Sequence, residues 1–323
     1  MDLELLTSYF DKLNWNIKSI QYKDVDFRNN NFKNNFILYC SSEDDGLHYK
    51  DYIEDILLGL EMQQAILIPK FYYFRAHHNK VFCEIIRDIS DSKHMKNLKS
   101  NYYGTFEEYS AMTNFSIDEK VVLKVPDESC GNGVFLSENT IERDKTVLSI
   151  SHTPQTKTER IKNFIKKHLN SKRHPFIFQS SNRKKFIIQE FISGLNSDWK
   201  ILIYNNKYYA LSRKIRKNDF RASGSNILDF SVKPPVELLN YSKSIYESFN
   251  VPYASLDICV KNNQYYLIEF QFISFGTATL EDSLWHFVCE DGEWHPIEGT
   301  STLEEETAES IVAWISKNYE TND

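Results

Sequence analysis

The first hundred residues alternate short apolar runs with a longer segment of helical periodicity. Residues 35–42 (NFILYCSS) and 65–71 (AILIPKF) have the character of buried strands. Between them, residues 49–63 place apolar side chains three and four positions apart, as an amphipathic helix does. The order strand, helix, strand predicts a small α/β lobe, and residues 78–89 predict a further helix.

From about residue 119 the pattern changes to strands joined by tight turns. It predicts strands at 120–126, 147–151 and 185–192, hairpins at 199–215 and 253–271, and helices at 157–170, 235–250 and 302–319. Each hairpin turns at an Asn-Asn pair, because asparagine tolerates the left-handed backbone that tight hairpins need. The segments at 185–192 and 199–215 both have the pattern of antiparallel strands, so the second half of the chain is expected to be α+β.

Composition narrows the class of protein. The chain has 323 residues, enough for two or three lobes, with 41% hydrophobic and 26% charged residues. Its net charge of −7 argues against binding to the nucleic acid backbone, which favours a basic excess. No apolar run approaches the length of a membrane span, and the N-terminus lacks a basic segment followed by an apolar one. We therefore expect neither a nucleic acid nor a membrane as partner.

The five cysteines are scattered along the chain, at positions 40, 83, 130, 259 and 289. An odd number without CxxC spacing is not typical of a disulfide framework or a zinc site. The pattern is that of small buried side chains in a reducing compartment, so we expect a cytoplasmic protein. The acidic composition is compatible with a monomer or a homodimer.

Oxygen-bearing side chains end an apolar strand in YYLIEFQFISFGT, residues 265–277. Glu269 and Gln271 lie two positions apart and so point to one face of the strand. If the hairpin turns at its Asn-Asn pair, Asp257 of the outgoing strand lies roughly opposite Glu269. Facing carboxylates repel each other without a cation, and clustered hard oxygens suit Mg²⁺. A solvent-exposed sheet face with a chance acidic pair fits the same residues, and they leave both interpretations open.

A lysine, a glycine loop and a basic run are candidates for binding an anion. Lys124 stands among apolar neighbours in VVLKVP, and the loop after it contains Gly131 and Gly133. Glycines let backbone N–H groups turn toward phosphate. Five basic residues then lie between Arg213 and Arg221, before a Ser-Gly turn, and a guanidinium can clamp phosphate with two hydrogen bonds. The alternatives are a solvated lysine beside an ordinary loop, and a solvated basic face.

In this order, these segments resemble the ATP-grasp superfamily over about residues 80–277. The resemblance implies an α+β fold of three lobes: an N-terminal α/β substrate lobe (1–100), a small lid lobe (101–190) and a larger C-terminal lobe with the metal site (191–323). The nucleotide would lie between the lid and the C-terminal lobe. The residues expected to hold ATP by its phosphates, adenine and ribose are Lys80, Lys124, Gly131, Gly133, Gln189, Glu190, Phe191, Ile192 and Asp198.

The same resemblance implies the chemistry. Asp257, Glu269 and Gln271 match the metal-binding residues of the family, where Asn commonly stands in place of Gln, and two Mg²⁺ ions are expected. Arg213 and Arg221 match arginines that contact phosphate or an acyl phosphate. The usual reaction of the family joins a carboxylate to an amine through an acyl phosphate and releases ADP and phosphate. It needs no covalent nucleophile, so Cys130 is expected to be a bystander.

The substrates are expected to be small molecules or peptides that carry the carboxylate and the amine. The residues expected to bind them are Arg75, His78, Ser274, Gly276 and Thr277. Solvated side chains explain Arg75 and His78 equally well. Two other functions fit the same fold. A kinase would stop at phosphoryl transfer. A nucleotide-binding module without turnover is favoured by the Gln at position 271 and by the lack of a Pro-Gly turn after it.

Overall fold

The computed structural model describes residues 1–42, 44–112, 120–127, 133–169, 180–216, 220–221 and 227–319, without the side chains of residues 45 and 167. The chain forms two compact units, Met1–Leu98 with Ser193–Asp323, and Lys99–Ile192. The segments predicted as the N-terminal and C-terminal lobes thus belong to the larger unit, and the segment predicted as the lid corresponds to the smaller one. Most of the predicted glycine loop, including Cys130 and Gly131, lies outside the described residues.

Helices and strands are numbered separately, in chain order. The α-helices are α1 (Leu3–Lys12), α2 (His48–Met62), α3 (Phe71–His77), α4 (Lys80–Ile89), α5 (Phe106–Ser110), α6 (Thr140–Ser151), α7 (Lys157–His168), α8 (Val236–Glu247), α9 (Ala278–Glu281) and α10 (Leu303–Tyr319). The strands are β1 (Phe36–Leu38), β2 (Ile66–Ile68), β3 (Ser100–Tyr103), β4 (Val121–Lys124), β5 (Val134–Ser137), β6 (Phe186–Glu190), β7 (Ser197–Tyr204), β8 (Lys207–Lys214), β9 (Leu228–Asp229), β10 (Tyr253–Lys261), β11 (Gln264–Gln271), β12 (Trp285–Glu290) and β13 (Glu293–Glu298).

Most of the predicted helices are present. Those expected at 78–89, 157–170, 235–250 and 302–319 are confirmed as α4, α7, α8 and α10. The first turn of α10 is acidic, which complements the positive end of the helix dipole. Among the helices of the described residues, none is both long enough and apolar enough to cross a membrane.

The larger unit is built around an antiparallel sheet with the strand order β11–β10–β7–β8–β12–β13, and β9 lies beside β8. Both predicted hairpins are confirmed, since β7 pairs with β8 and β10 pairs with β11. The first turn contains Asn205 at φ 53°, and the second contains Asn262 and Asn263 at φ 51° and 60°. Asparagine suits these positions because its short polar side chain tolerates a left-handed backbone.

One face of this sheet forms the hydrophobic core of the larger unit. Alternate residues of β7 and β10, among them Ile201, Leu256 and Ile258, are fully buried and pack with Leu238 and Ile245 of α8. Burying one such side chain contributes about 1.5–3 kcal/mol relative to leaving it exposed, so slipping the register by one residue is costly. The intervening residues point to the opposite face, which carries the charged side chains described below.

The N-terminal part of the larger unit contains the predicted strand–helix–strand order. β1 and β2 pair in parallel, with Phe36 opposite Ile66 and Leu38 opposite Ile68. Between them in the chain, α2 buries Leu57 in a separate hydrophobic cluster that includes residues of β2 and α3. The predicted α/β lobe is confirmed as a local structure.

The smaller unit contains an antiparallel sheet of order β3–β6–β4–β5, and α6 packs on one face of it. The prediction of a strand at 147–151 is wrong, because these residues end α6. The Asn139 side chain caps this helix by accepting a hydrogen bond from the N–H of Glu142, and Val147 is buried with the core residues of the sheet. The cap and this packing outweigh the β-branched character of the segment. β6 pairs with β3 and β4, so the predicted strands at 185–192 and 199–215 belong to different sheets.

Candidate active site

Asp257 and Glu269 lie directly opposite each other across the β10–β11 pair, where the position of the Asn-Asn turn predicts them roughly opposite. Ser255 lies opposite Gln271 in the same ladder, so Gln271 follows Glu269 on the same face. The Nε2 group of Gln271 donates a hydrogen bond to Glu269 Oε1 at 3.4 Å. Two carboxylates and one amide therefore share one patch of the sheet.

A β-bulge in β11 turns Glu269 toward this patch. The register shifts between Asp257 and Ile258, whose partners are Glu269 and Leu267, so Ile268 is the additional residue. Without a bulge, Leu267 and Glu269 would point to the same side because they are two positions apart. With it, Leu267 is buried in the core beside Ile258, while Glu269 faces Asp257. The bulge thus separates the core face from the polar face at the point where the carboxylates meet.

Two cations neutralise Asp257 from the neighbouring strands. Lys200 of β7 is its partner in the ladder, and the Lys200 Nζ lies 3.7 Å from Asp257 Oδ1. Arg213 of β8 reaches over β7 and places its Nη2 at 2.9 Å from Asp257 Oδ2. The repulsion expected between the facing carboxylates is thus reduced by protein side chains on one of the two partners.

Arg213 is at the same time bound by Asp198, its partner across the β7–β8 pair. The Arg213 Nε donates to Asp198 Oδ1 at 3.0 Å, and Nη2 donates to Asp198 Oδ2. Asp198 is fully buried, with 0% of its surface exposed, and Arg213 retains 8%. Asp198, expected to bind a ribose, therefore uses both of its oxygens on a guanidinium. Arg221, the other expected arginine, is half-buried and lies between segments that are outside the described residues.

Burial and charge act in opposite directions on these groups. Burial raises the pKa of Asp198 to about 7, although the Arg213 charge opposes the rise. Burial alone would raise the pKa of Asp257 as well, but the charges of Arg213 and Lys200 hold it below the ordinary value. Burial lowers the pKa of Arg213, and the charges of Asp257 and Asp198 raise it by more. Asp257 is therefore ionised at neutral pH, as a carboxylate ligand of a metal must be.

Asp257 offers an oxygen that fits a divalent cation. Its Oδ1 is buried without a hydrogen-bond partner among the described residues, and Lys200 Nζ at 3.7 Å lies beyond hydrogen-bond distance. Together with Glu269 and Gln271, it presents the carboxylate and amide oxygens that Mg²⁺ accepts. In the described part of the chain no group of three or more His, Cys, Asp and Glu side chains is arranged to hold a metal ion. Mg²⁺ commonly takes few protein oxygens and completes its shell with phosphate oxygens and water.

Comparisons with known proteins find similarity in structure and not in sequence. Neither a scan against protein-family models nor a search of curated proteins finds a match. The solved structure of the D-cycloserine synthetase DcsG aligns with a TM-score of 0.55 and 8% identity over 97% of this chain and 94% of that chain. The ATP-grasp ligase PsnB, complexed with a minimal precursor, Mg and ADP, aligns with a TM-score of 0.51 and 9% identity over 97% and 93%.

The chain has the ATP-grasp fold. A second structure of PsnB, complexed with precursor peptide PsnA2 and AMPPNP, aligns with a TM-score of 0.50 and 9% identity over 97% of this chain and 95% of that chain. Identity at this level shows the fold alone, so the activity has to be argued from the residues themselves.

In the smaller unit of this ATP-grasp fold, several residues expected to bind ATP lie on one face of the sheet. Lys124 is opposite Ile187, and Val122 is opposite Gln189. Gln189 is 3% exposed, and its Nε2 has no acceptor among the described residues. Gly133, at φ 65°, lies just before β5, and its carbonyl accepts a hydrogen bond from the Val125 N–H. Lys124 and Gln189 therefore lie on neighbouring strands, on the face opposite the core.

Residues 189–192, which are expected to surround the adenine, form the end of β6 and the two positions after it. The N–H of Glu190 donates to the Lys99 carbonyl at 2.9 Å, so the end of β6 is tied to the start of β3. The Lys120 ammonium lies 4.8 Å from the centre of the Phe191 ring, and Ile192 is buried. These contacts all lie within the smaller unit. That the segment binds a base is a proposal.

The remaining lysine, Lys80, is the first residue of α4. This helix is anchored to β11, because the buried Arg87 donates to the Leu267 carbonyl at 2.9 Å. Burial raises the pKa of the Cys83 thiol to about 12, and the Glu269 charge adds to the rise. Cys83 in α4 and Glu269 in β11 thus influence each other electrostatically.

The residues expected to bind substrates lie on α3 and on the loop after β11. Arg75 forms an ion pair with Glu54 of α2. His78 packs edge-on against the Phe74 ring. The Thr277 hydroxyl donates to Glu281 at 2.6 Å. Ser274 has a left-handed backbone at φ 46°, and Ser274 and Gly276 are exposed.

Sequence reasoning missed Lys50, which is joined to these two segments through His77. The Nε2 of His77 is hydrogen-bonded to the Ser274 carbonyl at 3.1 Å, and the fully buried Lys50 places its Nζ 2.9 Å from His77 Nδ1. Lys50 is three and seven positions before Ile53 and Leu57, on the apolar stripe of α2. A lysine on an apolar stripe is the signal that could have drawn attention to it. Lys200 was missed as well, because its contact with Asp257 is made across strands.

Proposed function

We propose that the protein is an ATP-dependent ligase that joins a carboxylate to an amine through an acyl phosphate and releases ADP and phosphate. The observation that carries the proposal is the pairing of Asp257 with Glu269, with Gln271 beside them and the buried Oδ1 of Asp257 left unbonded. The ATP-grasp fold supports the same conclusion, because PsnB, which shares the fold, is a ligase.

In this mechanism Asp257, Glu269 and Gln271 would hold Mg²⁺, with two ions expected. The ions, when bound, supply positive charge next to the phosphates of ATP. Lys200 and Arg213 keep Asp257 ionised and in place. Positioning and charge neutralisation provide most of the catalysis in phosphoryl transfer, so no protein nucleophile is required.

Lysines and arginines would offset the remaining phosphate charge. We assign this role to Lys80, Lys124 and Arg221. Gln189, Glu190, Phe191 and Ile192 would bind the adenine through their backbone and side chains, supported by the tie between the ends of β6 and β3.

The substrates would bind at the loop after the metal-binding strand and at α3. The hydrogen bond between His77 and the Ser274 carbonyl brings these two segments together. Arg75 and His78 would bind the carboxylate substrate, and Ser274, Gly276 and Thr277 would contact the acceptor. We propose small-molecule or peptide substrates, with a cytoplasmic reaction favoured by the scattered cysteines.

The test is ADP release from Mg·ATP, measured over a panel of carboxylates and amines, with mass spectrometry of the products. A ligase releases ADP together with a new amide, and Asp257→Asn should remove both. Asp229→Asn is the matched control, because Asp229 is a carboxylate of the same sheet whose partner is Lys214. A phosphorylated product without an amide would instead identify a kinase, and absence of turnover with bound nucleotide would identify a binding module.

A further inference from the structure

The charged groups on the polar face of the sheet form a chain across three strands. Asp198 on β7 binds Arg213 on β8 with two hydrogen bonds, and Arg213 contacts Asp257 on β10 with one nitrogen. We propose that Asp198 is a positioning residue for the metal site: it holds the Arg213 guanidinium so that only Oδ2 of Asp257 is taken, and Oδ1 stays open for a cation. This inference rests on the proposed function, since it concerns the same metal.

The geometry of Arg213 carries the first step of the argument. Its Nε and Nη2 are both directed at Asp198, which fixes the plane of the guanidinium. In that plane the nearest contact with Asp257 is made by Nη2, at 2.9 Å from Oδ2, and no donor among the described residues is hydrogen-bonded to Oδ1. Without Asp198, a planar guanidinium next to a carboxylate tends to bind both oxygens in parallel. Asp257 Oδ1 would then be covered by the arginine.

Burial carries the second step. Asp198 is fully buried, and a buried ion pair contributes little stability compared with apolar residues of the same size. The pair is therefore a poor device for holding the sheet together, and the adjacent core already does so. The Asp198–Arg213 pair instead fixes the position of a third group, which here is Asp257.

Charge carries the third step. The two hydrogen bonds from Arg213 favour the ionised form of Asp198. With Asp198 ionised, the patch contains three carboxylates, of Asp198, Asp257 and Glu269, and the cations of Lys200 and Arg213, which leaves one net negative charge. Without Asp198 the patch would be neutral, and a divalent cation would be attracted less strongly. Asp198 thus acts through Arg213 and does not itself touch the metal.

A ribose contact is the competing role for Asp198. In the structure both of its oxygens accept hydrogen bonds from Arg213, and none of its surface is exposed. A ribose hydroxyl would reach Asp198 only if the groups that bury it moved. The two roles make different predictions for binding of a metal without any nucleotide.

The experiment is a titration with Mn²⁺ alone, followed by electron paramagnetic resonance of the free ion, because Mn²⁺ accepts the same oxygen ligands as Mg²⁺. Asp198→Asn should weaken Mn²⁺ binding by about tenfold or more, the order expected for removing one nearby charge and covering Asp257 Oδ1. The double variant Asp198→Asn/Arg213→Met should recover part of the loss and bind Mn²⁺ more tightly than Asp198→Asn does, because the competing guanidinium is gone while Lys200 remains beside Asp257. Asp229→Asn should bind as the wild type does.

Each other outcome decides the question. If Asp198→Asn binds Mn²⁺ as the wild type does, or if the double variant fails to recover, the inference is overturned. If Asp198→Asn instead removes the preference for ATP over 2′-deoxy-ATP and leaves Mn²⁺ binding unchanged, the ribose role is correct. Asp257→Asn distinguishes failure of the metal site from failure of the role proposed for Asp198. Unchanged Mn²⁺ binding in that variant, or no saturable binding by the wild type, contradicts the proposed metal site itself. The double variant replaces a buried ion pair by neutral side chains, so it avoids an unpaired buried charge.

Discussion

Asp257 lies opposite Glu269 in the β10–β11 ladder, and it is the Asp257 carboxylate that Lys200 and Arg213 approach from the neighbouring strands. This asymmetry makes Asp257 the anchored member of the pair. Glu269 is instead hydrogen-bonded to the amide of Gln271. The pair therefore combines one carboxylate held in place by cations with another that accepts a hydrogen bond from an amide.

Removal of the Glu269 carboxylate should abolish the proposed reaction. Glu269→Ala is expected to lower the rate of ADP formation by about 100-fold or more, since it removes a ligand of the ion that stabilises the phosphates. The melting temperature should stay near that of the wild type, because Glu269 is only half-buried. Glu293→Ala, on the exposed strand β13, should keep full activity. Full Mg·ATP turnover by Glu269→Ala would refute the metal assignment.

Lys124 should be needed for nucleotide binding. Lys124→Met is expected to raise the dissociation constant of ATP by about tenfold or more, since a charge-assisted hydrogen bond contributes about 1.5–3 kcal/mol. The measurement is calorimetric titration with ATP and Mg²⁺. Lys145→Met, which changes an exposed lysine of α6 in the same unit, is the control. Equal ATP affinity in the two variants would remove Lys124 from the site.

The turn that joins β10 and β11 can be tested by measuring stability. Asn262 and Asn263 both have a left-handed backbone. Asn263→Gly should stabilise the protein by about 0.5 kcal/mol, since glycine adopts this conformation without strain. Asn263→Ala should cost about 1 kcal/mol, because alanine lacks the short polar side chain that lets asparagine tolerate the left-handed backbone. Urea unfolding measures both changes, and a variant with alanine as stable as the one with glycine would contradict the assigned turn.

The pH dependence of stability should depend in part on His286 of β12. Burial lowers its pKa from the ordinary value, and the nearby Lys207 charge lowers it further. The unfolded chain therefore takes up this proton more readily than the folded protein, so stability should fall as pH decreases below about 6.5. His286→Gln should flatten that decrease, as measured by urea unfolding at several pH values. His295→Gln, on the adjacent strand, should retain the wild-type profile; an unchanged profile for His286→Gln would rule out this contribution.

The local pattern of apolar and polar residues was sufficient to predict much of the fold. The two hairpins follow from alternating apolar residues around Asn-Asn turns, and the turn position brings Asp257 and Glu269 within one residue of facing each other. The parallel β1–β2 pair follows from two apolar runs separated by a helix. In each case the determining interactions lie within a short stretch of sequence, where periodicity and turn chemistry are decisive.

Other features depend on contacts between distant residues. The bulge at Ile268 and the reach of Arg213 over β7 to Asp257 are set by cross-strand packing, which a single sequence does not display. The segment 147–151 has strand character when taken alone, and the Asn139 cap that makes it helical lies well before it in the chain. The β12–β13 hairpin was missed although its sequence carries an Asp-Gly turn at 291–292, with φ 49° and 85°. That signal was present and would have sufficed.

The most direct test is a crystal structure grown with Mn²⁺ and a non-hydrolysable ATP analogue, using anomalous scattering to locate the ions. The account predicts an ion bonded to Asp257 Oδ1 and Glu269, at about 2.0–2.2 Å, with phosphate oxygens completing its shell. Arg213 should remain on Asp198. An analogue bound with its Mn²⁺ away from Asp257 and Glu269, or Asp257 Oδ1 occupied by Arg213 in the loaded protein, would contradict it.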